Sequence, residues 1–118
     1  MPTKAEQVAD AFFSAMENLE YEKVEKLYHD DAKIWHSFDE KVVGKSDIVN
    51  NVKQMKEFAT LSFKVYDRLA SEEVFAQRFD TIVHVEGQPD KVIPTSIFIR
   101  VKDGQMIDVH EYMESTRI

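Results

Sequence analysis

Residues 92–114 read VIPTSIFIRVKDGQMIDVHEYME, and this stretch decides the fold. Asp103-Gly104 in its middle is the two-residue pair that closes a hairpin, because both positions of such a turn need a positive φ. The flanking runs, 92–102 and 105–114, therefore pair as antiparallel strands. Working back toward the N-terminus, Glu86-Gly87-Gln88-Pro89-Asp90 supplies a second turn and 74–86 a long strand before it. Ser71-Glu72-Glu73 turns again, and Leu61, Phe63 and Val65 alternate with Ser62, Lys64 and Tyr66 in a further strand. From residue 60 onward the chain thus predicts an antiparallel meander.

The first half has a different period. Ala5, Val8, Ala9, Phe12, Ala15, Met16 and Leu19 recur at helical spacing, and Tyr21, Val24, Leu27 and Tyr28 predict a shorter second helix. Ala32, Ile34, His36 and Phe38 then alternate with Lys33, Trp35 and Ser37 as a strand. Gly44 breaks it, and Ser46 is expected to cap a third helix carrying Ile48, Val49, Val52, Met55 and Phe58. Helices first and strands afterwards predict an α+β fold, with N-terminal helices packed on one face of a curved, mainly antiparallel sheet.

Composition narrows the function classes. The chain has 118 residues, enough for one domain, 1–118, and too few for two. Fifteen Lys and Arg against 22 Asp and Glu leave a net charge of −7, which disfavours nucleic-acid and anionic-membrane partners. There is no cysteine, so disulfides, thiol nucleophiles and Cys-ligated metals are excluded. No apolar run approaches the roughly 20 residues that span a bilayer. No signal-peptide pattern opens the sequence, which predicts a soluble, cytoplasmic protein. Three glycines are too few for a phosphate-cradling loop.

Three local stretches carry a resemblance. They are Leu27-Tyr28-His29-Asp30-Asp31-Ala32-Lys33-Ile34-Trp35-His36, Gly44-Lys45-Ser46-Asp47-Ile48, and Lys102-Asp103-Gly104-Gln105-Met106-Ile107-Asp108-Val109-His110-Glu111-Tyr112. In this order and spacing the chain resembles the nuclear transport factor 2-like superfamily along essentially its whole length. That superfamily includes ketosteroid isomerases, SnoaL-like cyclases and limonene epoxide hydrolases. The resemblance implies a cone with an internal pocket between the helices and the concave sheet face, and often a dimer through the outer sheet face. The fold alone does not imply a reaction.

Among candidate residues, His36 shares a face with Ala32 and Ile34, and its position resembles that of the catalytic Asp of the isomerases. An imidazole there can carry a proton near neutral pH; it can equally be a hydrogen-bonded wall residue. The isomerase oxyanion donors, a Tyr and a protonated Asp, correspond by ungapped counting to Phe12 and Ser96, so steroid isomerisation is disfavoured.

Arg78 and Asp80 share one face of the 74–86 strand, and Glu111 falls on the apolar row of Ile107, Val109 and Met113. The three resemble the Asp-Arg-Asp triad of limonene epoxide hydrolase, with Glu111 replacing an Asp. In such a triad the Arg keeps one acid ionised while apolar walls keep the other protonated. The structural alternative is a cross-strand ion pair. Trp35 and Ser37 do not match the Tyr and Asn with which that family holds its water.

The reading also has consequences for the rest of the strand. If Arg78 and Asp80 face the pocket, the row Phe75, Phe79, Val83 and Val85 lies outside and needs a partner, which a homodimer supplies. If the row faces the pocket instead, the charged pair is surface and takes no part in catalysis. Trp35, turned away from His36, is expected at that interface. His29, His84 and His110 show no metal-ligand spacing, so no metal and no cofactor is expected. Phe12, Met16, Met55, Ser96 and Phe98 are expected to line the ligand pocket. The sequence thus predicts a domain that binds a small apolar molecule. It is either a cofactor-free acid–base enzyme (isomerase, dehydratase, cyclase or epoxide hydrolase type) or a non-catalytic binding or assembly domain.

Overall fold

The structure, a computed structural model, describes residues 1–114. It begins with α1 (Lys4–Glu17). Thr3 Oγ1 accepts from the Glu6 N–H at 3.1 Å and the Glu6 carboxylate accepts from the Thr3 N–H at 3.3 Å, a reciprocal cap that fixes the helix start. Its buried face is the expected stripe with Phe13 added. α2 (Tyr21–Leu27) follows and runs directly into β1 (Tyr28–His36).

After a turn come the short β2 (Lys41–Val43) and α3 (Lys45–Met55). The cap of α3 is Gly44 rather than Ser46. The Asp47 carboxylate accepts from the Gly44 N–H at 3.4 Å, so the helix starts earlier than the Ser46 side chain suggests. The meander is as expected: β3 (Ala59–Ala70), β4 (Val74–Val85), β5 (Lys91–Lys102) and β6 (Gln105–Met113). Asp103 and Gly104 both have positive φ, 54° and 76°, as a two-residue hairpin between right-twisted strands requires.

The sheet order is β2-β1-β6-β5-β4-β3. All neighbours are antiparallel except β1 and β6, which run parallel, so the last strand of the meander closes against the first strand of the chain. That closing pair sets Ile34 against Val109 and His36 against Glu111. The architecture is an α+β cone with an open six-stranded mixed sheet.

Of the two orientations open to β4, the structure has the Phe75 and Phe79 row inward and the Arg78 and Asp80 row outward. Phe75 and Phe79 are 0% and 2% exposed, and they pack toward the helices. Phe13 of α1 meets Phe79 and Phe63 edge-on at 5.2 and 5.1 Å between ring centroids, and Phe63 meets Phe79 at 5.7 Å. Each such side chain contributes about 1.5–3 kcal/mol on leaving water. The row expected at a homodimer interface is therefore core, because burying two phenylalanines outweighs burying an arginine and an aspartate. Alternation then sends Arg78 and Asp80 outward.

Candidate functional site

The helices and the concave sheet face enclose a cavity of about 420 Å³. This is within the range of small-molecule sites. Its wall is largely apolar: Phe12, Phe13 and Met16 from α1, Ile48, Val52 and Met55 from α3, and Leu61, Phe63, Val83 and Ile93 from the strands. Phe12, Met16 and Met55 thus lie where the sequence places them.

His36 and Glu111 bring an imidazole and a carboxyl together at this wall. Register partners on β1 and β6, they project from adjacent strands into one cavity. His36 Nε2 stands 3.5 Å from Glu111 Oε1, with the two side chains 16% and 21% exposed. The Glu111 carboxyl has lost most of its water and sits on a row with Val109, so burial pushes its pKa up to about 7. Burial also holds the His36 imidazole below its usual pKa, and the nearby Asp39 carboxylate partly opposes this. Both shifts favour uncharged forms. Near neutral pH a substantial share of Glu111 is therefore a carboxylic acid able to give a proton, beside an imidazole able to take one.

Arg78 and Asp80 are not part of this site. Arg78 forms a two-pronged pair with Asp67 on the neighbouring strand, at 3.0 and 2.9 Å, with both side chains more than half exposed. The Asp80 carboxylate accepts from the Tyr66 hydroxyl. These are the cross-strand contacts of an outer face, so the epoxide-hydrolase-like triad is not assembled. Its third member, Glu111, is on the opposite side of the sheet.

Ser96 and Phe98 are also placed outside. Along β5 the buried residues are Ile93, Thr95, Ile97, Ile99 and Val101, which leaves Ser96 and Phe98 on the other face. Ser96 lines an outer groove with Tyr66, Arg78, Asp80 and Tyr112. The Phe98 ring lies against His110, at 6.5 Å, and beneath the Arg100 guanidinium. Trp35 is outside as expected, 5.0 Å from the Tyr112 ring and 5.9 Å from His110.

Sequence reasoning missed four polar members of the cavity wall: Asp39, Asn51, Thr81 and Lys91. Thr81 shares the Phe79 row and could have been found from it. Asp39 lies in the β1–β2 turn, where alternation stops giving information. His84 bonds Ser62 Oγ through Nε2 at 2.8 Å and Asp90 through Nδ1 at 2.9 Å, away from the His36–Glu111 pair. Among the described residues no group of three or more His, Asp or Glu side chains is arranged to hold a metal. No described helix is long and apolar enough to cross a membrane.

The SnoaL-like domain profile matches residues 9–109. The chain belongs to the SnoaL-like domain family. No curated protein matches it. Among solved structures, this SnoaL-like chain is similar to an LEH-like epoxide hydrolase from M. tuberculosis, with a TM-score of 0.83 and 15% identity over 97% of this chain and 85% of that one. It is also similar to PrhC from Penicillium brasilianum, with a TM-score of 0.83, 14% identity, and 97% and 82% coverage. A third is a protein of ketosteroid isomerase-like fold from Catenulispora acidiphila, solved with trimethylamine (TM-score 0.79, 10% identity, 95% and 88% coverage). At these identities the likeness shows a shared NTF2-like fold.

Proposed function

We propose that this SnoaL-like domain binds a small, mainly apolar molecule in its cavity and moves protons on it with the His36–Glu111 pair, without a cofactor. The observation that carries this reading is the meeting of an imidazole and a burial-raised carboxyl 3.5 Å apart at an apolar cavity. In an isomerisation, the C–H bond next to a carbonyl breaks and its proton passes to the free His36 nitrogen. Glu111 meanwhile gives its proton to the carbonyl oxygen, forming an enol. Return of a proton from His36 to a different carbon, and of the enol proton to Glu111, restores both groups. The same acid can protonate an epoxide or hydroxyl oxygen, so dehydration, cyclisation and epoxide opening belong to the same class.

A non-catalytic binding domain is the alternative, and the predominantly apolar wall suits it equally well. The two separate in one experiment. A panel of small apolar ketones, β-hydroxyketones and epoxides is followed by NMR in deuterated buffer with wild type, His36→Ala and Glu111→Gln. Catalysis predicts enzyme-dependent deuterium incorporation or conversion that falls at least about a hundredfold in either variant. Binding shifts with no wild-type turnover across the panel overturn the catalytic reading.

We also propose a homodimer through the outer sheet face. Exposed aromatic side chains there include Tyr112, beside Trp35, and Tyr66, at 53% and 51% exposure.

A further inference from the structure

Lys91 opens β5 at the rim of the cavity and is exposed. Its register partner across the sheet is Val83, which also lines the cavity, so the lysine stem begins on the inward-facing row. Two other cavity residues carry carboxyls, and each has a partner other than Lys91. Asp39 accepts from the Lys41 N–H at 3.0 Å, and Glu111 stands beside His36. The acid next in sequence, Asp90, is held by His84. Among the described residues no carboxylate comes within ion-pair distance of Lys91, although acids outnumber bases 22 to 15. Lys91 therefore lines an apolar cavity in an acidic protein without a carboxylate partner among the described residues.

The spacing adds a constraint on shape. Glu111 is registered with Ile97, and Lys91 lies six residues earlier on the same strand. Six extended residues span at most about 20 Å, and both side chains reach inward across part of it. A ligand touching both must have an apolar segment between its two polar ends.

We propose, resting on the reading of this cavity as a small-molecule site, that its ligand is an apolar molecule bearing one carboxylate, which Lys91 holds at the rim while the far end reaches His36 and Glu111. The lysine selects the anion by charge and, as a mobile point charge, tolerates variation in its geometry. The apolar wall binds the body without regard to charge, so the carboxylate decides preference among molecules of similar shape.

The test uses three probes of matched shape, phenylbutyrate, phenylbutyramide and phenylbutylamine. Each is titrated by NMR at fixed pH and low salt into the full chain and into Lys91→Met, Lys91→Arg and His36→Ala. Wild type is expected to bind the acid roughly fivefold tighter than the amide, the increment of one partly exposed ion pair, with the amine weakest. Lys91→Met is expected to remove the preference by weakening the acid alone, and Lys91→Arg to keep it. Equal affinities in wild type, a preference that survives Lys91→Met, or no binding by any probe overturns the proposal. His36→Ala separates it from the proton-transfer reading. A carboxylate preference intact in that variant and in wild type without turnover leaves the Lys91 assignment standing while catalysis fails. Turnover without the preference does the reverse.

Discussion

The two faces of the sheet carry the same chemical vocabulary and put it to opposite uses. Outside, Arg78 meets Asp67 and Asp80 meets Tyr66, all in contact with water and each satisfied by a neighbour. Inside, Glu111 has His36 at 3.5 Å and an apolar row around it. A carboxylate in water with a cation beside it is held ionised, and the Asp67 carboxyl is accordingly below its usual range. A carboxyl deprived of water is pushed toward its neutral form. Only the second arrangement leaves a proton poised for transfer at neutral pH, so the face a residue occupies matters more than which charged residues share its strand.

The largest expected effect lies in the core row of β4. Phe79→Ala should cost about 3–5 kcal/mol in urea unfolding, and Phe79→Glu should abolish folding altogether. A folded Phe79→Glu protein with an altered oligomeric state would return this row to the outer face.

Next comes the pH dependence of stability. Glu111 titrates near 7 when folded, against an ordinary 4.5. The folded state therefore holds the proton more tightly, and stability from this group is full below about pH 4.5 and lost as pH rises through 7. The difference corresponds to on the order of 3 kcal/mol. Glu111→Gln, which cannot ionise, should be more stable than wild type at pH 8 and close to it at pH 4.5, read as the difference in denaturant midpoint. His36 runs the other way. Its lowered pKa costs stability as pH falls below 6.5, which opposes part of the stability Glu111 gains over the same range. A Glu111→Gln advantage that does not change with pH contradicts the burial of this carboxyl.

Arg78→Ala should fall within about 1 kcal/mol of wild type, because an exposed pair gains little over water. It should also leave any activity assigned to the cavity untouched. A loss of turnover comparable to His36→Ala would bring the outer pair back into the chemistry. Smallest of all in stability is Tyr112→Glu on the outer face. In sedimentation it is expected to convert a dimer to monomers, and a wild-type monomer would remove the proposed interface.

Much of this architecture was legible in the residues themselves. The change from helical to alternating period near residue 28 and the Asp103-Gly104 pair locate helices, strands and the final hairpin, because both are local signals. What strand alternation cannot supply is parity: it says that Arg78 and Asp80 share a face, and not which face looks inward. The answer was nevertheless in the same strand, since Phe75 and Phe79 occupy the other row and lose more by exposure than two charged residues gain by burial. Similar arithmetic separates Ile97 and Ile99 from Phe98, where an aromatic ring lies outside against Arg100 and His110. His36 and Glu111 were legible singly. Their meeting depends on the parallel pairing of β1 with β6, a long-range contact with no local signature.

That meeting is also where the account is most exposed. The direct measurement is a carbon-detected NMR titration of the carboxyl groups, with the Glu111 resonance assigned by its loss in Glu111→Gln. The structure predicts a midpoint near 7 for this carboxyl and a midpoint below the usual 6.5 for the His36 ring. A Glu111 midpoint near 4.5 would mean a solvated carboxylate, and the inward acid–base pair would not exist.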